Sequence, residues 1–546
     1  MTQRALRNVR IALAAVARVV GNPDMRRALL GWMLGWAAEW AWLVALFVYA
    51  FGSGGLAVVG LVGMARTLPA AILAPALGAL ADRVPRHRAL MGIHLGRALL
   101  LACAAAIVAA SGPPALVYLV AVLDALLAVL HRPSHMALLP SLARSPDQLV
   151  GANVASATVE AAGILSGPAI GAALIATDLV PITFAGPAIL FLLAAASVAG
   201  LRPPATPLIA EPAAGRSVLR GVRALREHPH AALVLGVFSA QTTVRGVLSV
   251  LIVAGAVGML GMGEEGVGLL NAAIGAGGLV GAIGAISIVG GRRLAPTFVI
   301  GLLLWGTPIL VAGLLPVAAV AVLALAVLGA GNAILDVSGF TLLQRTVPNA
   351  YRGSVFGILE ALVMLTVGLG SLLGPLLVDL LGVRGAWIAT GCVLPVLALL
   401  SWRPLLRTDA RAVIPELELG LLRGVPMLRV LPLTALEQVA ADLRPLQVAA
   451  GDHIIRRGDV GDRFFVVRRG EVEVRVGDRV MRRQGAGESF GEVALLRDVA
   501  RTADVVALTD VELFTIGRVA FRCAVTGDRE SREAADDVMT ARLRAG

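Results

Sequence analysis

Long apolar runs and short polar connections alternate along the chain as far as about residue 403. Runs of about 20 apolar residues are long enough to cross a bilayer as helices. Six such runs lie near residues 28–50, 57–81, 89–111, 114–131, 151–177 and 181–201, and six more lie near residues 230–258, 266–290, 297–315, 316–341, 354–381 and 385–403. The pattern predicts an all-α polytopic membrane protein with about twelve transmembrane helices in two sets of six.

Beyond residue 403 the hydropathy pattern changes to a period of two. After a linker at 404–425, valines alternate with charged residues over 472–476, and a Gly-Asp pair follows at 477–478. Such alternation followed by a turn is typical of a β-hairpin. We therefore expect a compact β domain with flanking helices at 426–530, followed by a C-terminal tail at 531–546.

The two sets of helices are similar to each other. In each set a Leu-Asp pair, ending at Asp124 or Asp336, precedes a basic turn, and a Gly-Pro pair beginning at Gly167 or Gly374 follows in the next helix. Internal repeats of this kind are typical of transporters, whose sites lie near the bilayer midplane between the repeats. The expected organisation is an amphipathic N-terminal segment at 1–27, a first repeat at 28–201, a cytoplasmic central loop at 202–229 and a second repeat at 230–403.

Composition and charge agree with a membrane protein. Of the 546 residues, 58% are hydrophobic and 15% are charged, and the mean hydropathy is +0.83. The net charge is +11, but all 47 basic residues are Arg and most lie between apolar runs, so membrane topology explains them better than nucleic acid binding. The arginine-rich connections alternate with others that lack Arg, which predicts cytoplasmic N- and C-termini. The three scattered cysteines have no metal-ligand spacing.

Ionisable residues interrupt several apolar runs. A charge at the bilayer centre costs about 2.5 to 3.5 kcal/mol, so each one indicates a function by default. The candidates for transport or coupling, which we expect to face a central cavity, are Glu39, Arg66, Arg97, Glu160, Arg245 and Glu360. Glu39 is the most informative because tryptophans at 32, 36, 40 and 42 surround it, and these can desolvate a proton-exchanging carboxylate or stack on a substrate. A structural pair of Glu39 with Arg66 is the alternative.

The segment "GALADRVPRHR", from Gly78 to Arg88, resembles the Gly-x-x-x-Asp-Arg-x-x-Arg loop between the second and third helices of the major facilitator superfamily. The segments "PSHMALLPSL" and "ANVASATVEAAGILSGPAIG" are similar to the exporter branch of that family, which includes bacterial drug and siderophore efflux pumps. The resemblance covers about residues 20–405. The counterpart in the second half, "GAIGAISIVGGRR", lacks the Asp, so only the first half can form the full contact between loop and helix.

This resemblance indicates residues for conformational gating. Asp82 and Arg83 lie at an expected cytoplasmic helix end, where they can pair with charges or helix termini in one conformation and release them in the other. The alternative is that the loop arginines merely fix the topology. Asp124 and Asp336 occupy matching repeat positions close to the expected cytoplasmic helix ends, which favours a gating or structural pair at least as much as a transport site.

Two segments of the C-terminal region resemble the cyclic nucleotide-binding fold. "IIRRGDVGDRFFVVRRG" is similar to the first signature of that family, with glycines at the turns. "FGEVALLRDVARTADVVA" is similar, without a gap, to its second signature, the phosphate-binding cassette. The two segments occur in the expected order and the resemblance covers about residues 430–525. A β-roll that has kept its shape and lost its ligand is the alternative.

The resemblance implies roles for the residues of the second segment. It assigns the ribose to Glu492, an acceptor suited to the 2′-hydroxyl, and the cyclic phosphate to Arg501, whose planar fork matches two oxygens. Gly491 lets the backbone approach the ligand, and the N–H groups of Ala494 and Leu495 point at the anion. In this family a hydroxyl such as that of Thr502 can favour cyclic GMP, although cyclic AMP remains the first choice as the commoner bacterial signal.

Together these features predict a proton-coupled small-molecule exporter in a bacterial inner membrane. Its C-terminal β-roll is expected to bind a cyclic nucleotide as an effector rather than as a cofactor. Two alternatives remain: a constitutive transporter with a vestigial sensory domain, and a receptor-like protein that signals through its cytosolic domain. The sequence contains neither a nucleophile-base constellation nor an ATP-binding loop nor a metal-binding pattern, so we expect no enzymatic activity.

Overall fold

The computed structural model describes residues 21–81, 84–142, 146–201, 214–285, 294–347, 351–411, 416–429, 442–477, 479–497 and 499–527, together with residues 431, 436, 439, 440, 535 and 537. The chain divides into two units, one formed by residues 1–144 and 148–412 and the other by residues 145–147 and 413–546. The first unit, here called the membrane unit, contains helices and no strands among its described residues. The second, here called the C-terminal unit, contains the eight described β-strands.

Long apolar helices build the membrane unit. Several begin at a proline, such as Pro114 of α3 and Pro229 of α8, because proline lacks the N–H group that the first helical turn leaves unpaired. In chain order the helices are α1 Pro23–Ala81, α2 Arg86–Ala109, α3 Pro114–Ala128, α4 His131–Leu142, α5 Pro146–Ile175, α6 Val180–Ala199, α7 Ala214–Glu227, α8 Pro229–Gly258, α9 Glu265–Ala285, α10 Ala295–Leu314, α11 Ala318–Thr346 and α12 Arg352–Arg411.

Ten stretches among the described residues are long and apolar enough to cross a membrane. Two of them, in α1 and α12, are of double length: α1 bends at Gly54 and Gly55, and α12 bends at Gly382. Gly55 and Gly382 have positive φ, a conformation that glycine adopts without steric cost. We call the parts before and after these bends α1a, α1b, α12a and α12b. With each bent helix counted as two segments there are twelve, which confirms the predicted number.

Glycines at matching positions permit close helix contacts in both repeats. A Cβ atom at Gly167 in α5 would lie 2.6 Å from the carbonyl oxygen of Ala37 in α1a. A Cβ atom at Gly374 in α12a would lie 2.7 Å from the Cβ atom of Val250 in α8. Both distances are far below a normal carbon contact of about 3.5 to 4.0 Å. The Gly-Pro pairs found in the sequence therefore mark equivalent close-packed interfaces, as small residues do in membrane helices.

Two polar segments contain more helix than the domain prediction implied. The helix α7 occupies most of the described part of the predicted central loop at 202–229. The helix α12 continues to Arg411, past the predicted end of the second repeat at 403. Two short helices, α13 Glu416–Gly424 and α14 Pro426–Arg429, then follow. The predicted N-terminal segment and C-terminal tail lie largely outside the described residues.

Two four-stranded antiparallel sheets form the framework of the C-terminal unit, which confirms the predicted β-roll. One sheet has the strand order β1-β8-β3-β6 and the other has the order β2-β7-β4-β5. The strands are β1 Arg444–Val448, β2 His453–Ile455, β3 Arg463–Arg469, β4 Val472–Val476, β5 Arg479–Gln484, β6 Ser489–Phe490, β7 Asp504–Ala507 and β8 Val511–Gly517. The helix α15 Glu492–Arg497 connects β6 to β7, and α16 Arg518–Gly527 follows β8.

Apolar side chains of β3 serve two cores, because they point alternately to the two faces of their sheet. Phe465 belongs to the core that the two sheets enclose, and its ring stacks on Phe490 with centroids 5.1 Å apart. Phe464 belongs to the core shared with the helices, where its ring stacks on Phe521 of α16 at 4.2 Å. The strand thereby anchors both β6 and α16, and β6 leads directly into α15.

The strand β4 departs from the predicted alternation. A register shift lies between Val474 and Arg475, so Val476 is exposed although it continues the valine pattern. Glu473 is buried because Arg475 and Arg483 cover its carboxylate. The hydrogen bond from Arg475, assisted by that from Arg483, lowers the pKa of Glu473.

Candidate functional site

The two glycine-rich signatures of the C-terminal region meet at one pocket. The pocket has a volume of about 400 Å³, which is within the range of small-molecule sites. Five of the six residues that the sequence assigned to a nucleotide line it: Gly491, Glu492, Ala494, Arg501 and Thr502. The sixth, Leu495, packs its side chain into the core shared with the helices. Apolar residues of β2, β4 and β7, including Ile455, Val474 and Val505, form the opposite wall.

Backbone hydrogen bonds join the two signatures directly. The N–H group of Gly458, in the first signature, donates to the carbonyl oxygen of Arg501 at 2.9 Å. The N–H group of Arg501 donates in turn to the carbonyl oxygen of Asp459 at 2.9 Å. Gly458 has a φ of 93°, so glycine is the residue that fits this turn. The first signature therefore fixes the backbone from which the Arg501 side chain extends.

The Arg501 guanidinium is only 5% exposed and is held in a defined position. Its Nη1 atom donates to the carbonyl oxygen of Gly491 at 2.9 Å, and Nη2 donates to that of Arg463 at 2.6 Å. Burial lowers the pKa of Arg501, while Asp462, whose Oδ1 lies 3.7 Å from Nη2, opposes this effect. An arginine nevertheless keeps its charge at neutral pH. A permanent positive charge therefore lies at the pocket wall.

Gly491 and Glu492 complete the charged end of the pocket. Gly491 has a φ of 92°, and a Cβ atom there would lie 2.8 Å from Nη1 of Arg501, so a side chain would displace the guanidinium. Glu492 begins α15, is 1% exposed and interacts electrostatically with Arg501. The pocket thus offers a cation for an anionic group and, beside it, a carboxylate that can accept a hydrogen bond from a hydroxyl group.

A second polar centre lies in the first repeat of the membrane unit. Arg97 of α2 is fully buried, and its Nε donates to Oδ1 of Asp124 at 2.7 Å while Nη1 donates to Oε2 of Glu39 at 2.8 Å. Arg66 of α1b lies 3.8 Å from Glu39 and 3.9 Å from Asp124. Trp42 donates its indole N–H to Oδ2 of Asp124 at 3.0 Å. We call Glu39, Arg66, Arg97 and Asp124 the charge cluster; its formal charge is zero.

The charge cluster shows how these side chains are paired. The pair of Glu39 with Arg66 exists, but Arg97 makes the shorter contact with Glu39. Asp124 lies four residues before the end of α3 at Ala128, and it contacts Arg97 and Arg66, which belong to helices of its own repeat. Its gating role stays a prediction.

A third group of charges involves both repeats. Arg132 of α4 forms an ion pair with Glu160 of α5 and lies over the ring of Trp36 at 5.7 Å. Glu160 interacts electrostatically with Asp336 of α11. Asp336 accepts a hydrogen bond from Asn332 at 2.9 Å and interacts with Arg132, Arg245 and Glu360. We call Arg132, Glu160, Arg245, Asp336 and Glu360 the inter-repeat group.

The exposure of the inter-repeat group indicates a cavity. Arg245 and Glu360 are exposed although each lies within a long apolar helix. Charges in such positions face a bundle interior or a water-filled cavity rather than lipid. Residues of both repeats therefore contribute charges to one region, which is the layout of a transporter site. Asp82 and Arg83, the other gating candidates, lie outside the described residues.

Several residues of these centres were not predicted from the sequence. Arg132 pairs with Glu160 within the membrane unit. His131 and His135 are buried against Trp32, and His94 is buried against His131. For His94, the available signal was an ionisable residue within an apolar run. Among the described residues no group of three or more His, Cys, Asp and Glu side chains is placed to hold a metal ion.

Comparisons with known proteins agree with both units. The family described as "Major Facilitator Superfamily" matches residues 28–296 and 288–442, and the family described as "Cyclic nucleotide-binding domain" matches residues 445–526. A cAMP-dependent protein kinase regulatory subunit from Colletotrichum orbiculare is 35% identical over 136 residues, which is 24% of this chain and 34% of that protein. A cyclic nucleotide-gated potassium channel from Rhizobium etli is 37% identical over 113 residues, 21% of this chain and 32% of that protein.

The solved structures that match are similar to a small part of the chain. A structure titled "Sp-2Cl-cAMPS bound to PKAR CBD2" is 22% identical, covers 24% of this chain and 90% of its own, and has a TM-score of 0.22. The chain spans only 20 to 38% of the length of the first curated relatives. The match to the transporter family, however, extends over most of the 546 residues. The chain therefore belongs to the Major Facilitator Superfamily and carries a C-terminal cyclic nucleotide-binding domain.

Proposed function

We propose that the protein is a secondary active transporter that exports a small molecule in exchange for protons and is regulated by a cyclic nucleotide. The observation that carries the regulatory part is the buried pair of Glu492 and Arg501 at the wall of one pocket. The nucleotide acts as an effector that alters the balance between transporter conformations. A typical coupling of about 1 to 3 kcal/mol would change transport about 5- to 150-fold.

The pocket chemistry supports a cyclic ribonucleotide. The Arg501 guanidinium can release its two carbonyl partners, or share its donors with them, to bind the two exocyclic phosphate oxygens. Glu492 can accept a hydrogen bond from the ribose 2′-hydroxyl, which a deoxyribonucleotide lacks. Cyclic AMP is the first choice, since a relative is named as cAMP-dependent. Cyclic GMP is the second choice because Thr502 offers a hydroxyl at the pocket.

The charges of the membrane unit support proton-coupled transport. In the charge cluster, Glu39 keeps more exposure than its partners, with a side chain that is 17% exposed while Arg97 and Asp124 are fully buried. Because solvent reaches the Glu39 carboxylate, this group can exchange a proton while the buried ion pair of Arg97 with Asp124 stays intact. The inter-repeat group supplies charged side chains for a polar substrate. Asp82 and Arg83 remain predicted gating residues, and a bacterial inner membrane with cytoplasmic termini remains the predicted location.

The test is calorimetric titration of the full-length protein in detergent with cyclic AMP and cyclic GMP. Arg501→Ala removes a buried charge that would contact the phosphate, and truncating a buried charge pair costs about 2 to 5 kcal/mol, so affinity should fall at least 30-fold. Glu492→Gln should weaken binding of the ribonucleotide by about 10-fold and leave the binding of the 2′-deoxy analogue nearly unchanged. Arg497→Ala, an exposed residue of the same short helix, is the matched control and should bind as wild type.

Each outcome separates the alternatives. Binding of one nucleotide that depends on Arg501 but not on Arg497 supports the effector role. Failure of wild type to bind either nucleotide would leave a constitutive transporter with a vestigial domain. If nucleotide binds but proteoliposomes show no substrate flux across a panel of amphipathic compounds under a proton gradient, the receptor-like alternative gains support instead.

A further inference from the structure

Three buried imidazoles form one group beside a tryptophan in the first repeat, and two of them contact its ring. The ring of His135 in α4 stacks on Trp32 of α1a, with centroids 4.1 Å apart and planes 9° apart. His131, one turn earlier in α4, also contacts Trp32, and the two ring centroids are 4.6 Å apart. His94 of α2 meets His131 edge to face at 4.9 Å. All three histidines are at most 2% exposed. We call them the imidazole cluster.

Hydrogen bonding does not account for this burial. Within the described residues, both ring nitrogens of His94, Nε2 of His131 and Nδ1 of His135 have no hydrogen-bond partner. Nε2 of His135 contacts the hydroxyl of Ser156 in α5 at 3.1 Å. A buried polar group without a partner costs about 1 to 3 kcal/mol of stability. Burial of four such nitrogens is therefore unfavourable if the histidines only fill space. Apolar residues of similar size would fill the same space at lower cost.

The neighbouring helix is shaped to admit the imidazoles. A Cβ atom at Gly35 in α1a would lie 2.7 Å from Cε1 of His131 and 3.0 Å from Cε1 of His94. Glycine at this position therefore leaves room for both rings at once. Gly35 lies one helical turn from Trp32 and one turn from Glu39. The imidazole cluster is thus built into the same helix face that carries the charge cluster.

The charges that face the imidazole cluster are mainly positive. His94 and His131 interact electrostatically with Arg97 of α2, and His131 and His135 interact with Arg132 of α4. The acidic groups on the adjacent helices are already engaged: Glu39 of α1a binds Arg97, and Glu160 of α5 binds Arg132. A proton added to an imidazole would place a new positive charge beside two arginines. It would also draw Glu39 or Glu160 away from its present partner.

We propose that the imidazole cluster is a proton-binding site whose occupancy opposes the helix packing seen in this structure. A proton from water would form an N–H bond with one of the unpartnered ring nitrogens. The resulting imidazolium would repel Arg97 and Arg132 and would favour separation of α1a, α2 and α4. Protonation of histidine clusters flips packed interfaces in proteins that respond to pH. The proposal deepens the proton coupling of the proposed function, since the cluster begins one turn from Glu39.

The test is a pH titration of tryptophan fluorescence on the full-length protein in nanodiscs of uncharged lipid. An imidazolium ring in contact with an indole quenches its emission, and exposure of the indole to water when the helices separate lowers it as well. Wild type should lose emission reversibly as the pH is lowered. Trp32→Phe and His135→Asn should each diminish this loss. Trp305→Phe is the matched control, because Trp305 is equally buried in the second repeat and binds Asn332 instead of histidine, so the loss should persist.

Two results would overturn the proposal. One is emission that does not depend on pH in folded wild type, and the other is a pH-dependent loss that survives undiminished in Trp32→Phe. A loss caused by Glu39 would involve Trp36 and Trp40 and would therefore survive in that variant. If His135→Asn fails to fold by size-exclusion chromatography, His131→Asn takes its place. The titration needs neither substrate nor nucleotide, so its result is independent of the outcome with Arg501→Ala.

Discussion

In the first repeat, Asp124 is held by Arg97 and receives a hydrogen bond from Trp42. In the second repeat the matching Asp336 receives its hydrogen bond from Asn332, which in turn accepts one from Trp305. Both aspartates are thus connected to a tryptophan, directly in one repeat and through an amide in the other. Within the described residues Asp124 forms ion pairs with two arginines, whereas Asp336 forms none.

The difference shows that the two repeats have equivalent helix packing but pair their charged side chains differently. The glycines at 167 and 374 keep the helix contacts equivalent. The charge cluster, with Asp124, lies among helices of the first repeat, whereas Asp336 belongs to the group that extends between the repeats. We infer that the first repeat supplies the ionisable groups for protons and that Asp336 serves the substrate region.

The largest expected effect comes from neutralising one aspartate at a time. Asp124→Asn leaves the buried Arg97 without its best partner, and removal of one member of a buried ion pair costs about 3 to 5 kcal/mol. Asp336→Asn keeps an oxygen that can accept from Asn332 and breaks no ion pair among the described residues, so it should cost at most about 1 kcal/mol. Asp124→Asn should therefore lower the melting temperature of the detergent-solubilised protein several times more than Asp336→Asn. Equal shifts would show that Asp336 is as tightly paired as Asp124.

A smaller and symmetric effect is expected at the close-packed glycines. A methyl group at residue 167 or 374 overlaps the neighbouring helix, and overpacking of this kind costs about 1 to 3 kcal/mol. Gly167→Ala and Gly374→Ala should lower the melting temperature by similar amounts. Gly236→Ala is the control, since a Cβ atom there meets nothing within 4 Å. A large shift for one repeat alone would contradict the equivalence of the two interfaces.

The smallest effect is expected from the two tryptophans. Trp42→Phe and Trp305→Phe each delete one indole hydrogen bond to a polar side chain and keep most of the ring, so each should cost about 1 kcal/mol. In combination with Asp124→Asn, the cost of Trp42→Phe should shrink because both changes affect one contact. Trp305→Phe should add fully to Asp124→Asn. Melting temperatures of the single and double variants measure this coupling.

The number of membrane segments and the nucleotide pocket followed from the sequence for different reasons. Span length is a property of consecutive residues, so the apolar runs were sufficient to count the helices. Five of the six pocket residues lie within twelve positions of each other, from Gly491 to Thr502, so one contiguous segment carried them together. The first signature then added the turn at Gly458 that fixes Arg501.

The partners of the intramembrane charges did not follow from the sequence. Arg97 could be recognised as an isolated charge, but its contacts with Glu39 and Asp124 depend on how three helices are rotated. The group of histidines was missed because His94 lies far in the sequence from His131 and His135, and the space left by Gly35 accommodates His94 and His131 together. The burial of Glu473 depends on arginines from two strands, and the alternation of valines with charged residues did not indicate it.

The bend in α1 also has a consequence for how the protein enters the membrane. Its two halves are joined by a turn at Gly54 and Gly55, and the residues from Phe51 to Leu56 carry no charge. A pair of antiparallel helices joined in this way presents no charged loop that must pass through the hydrocarbon layer. The two halves can therefore insert together as one hairpin, and Glu39 and Arg66 can enter the bilayer already paired.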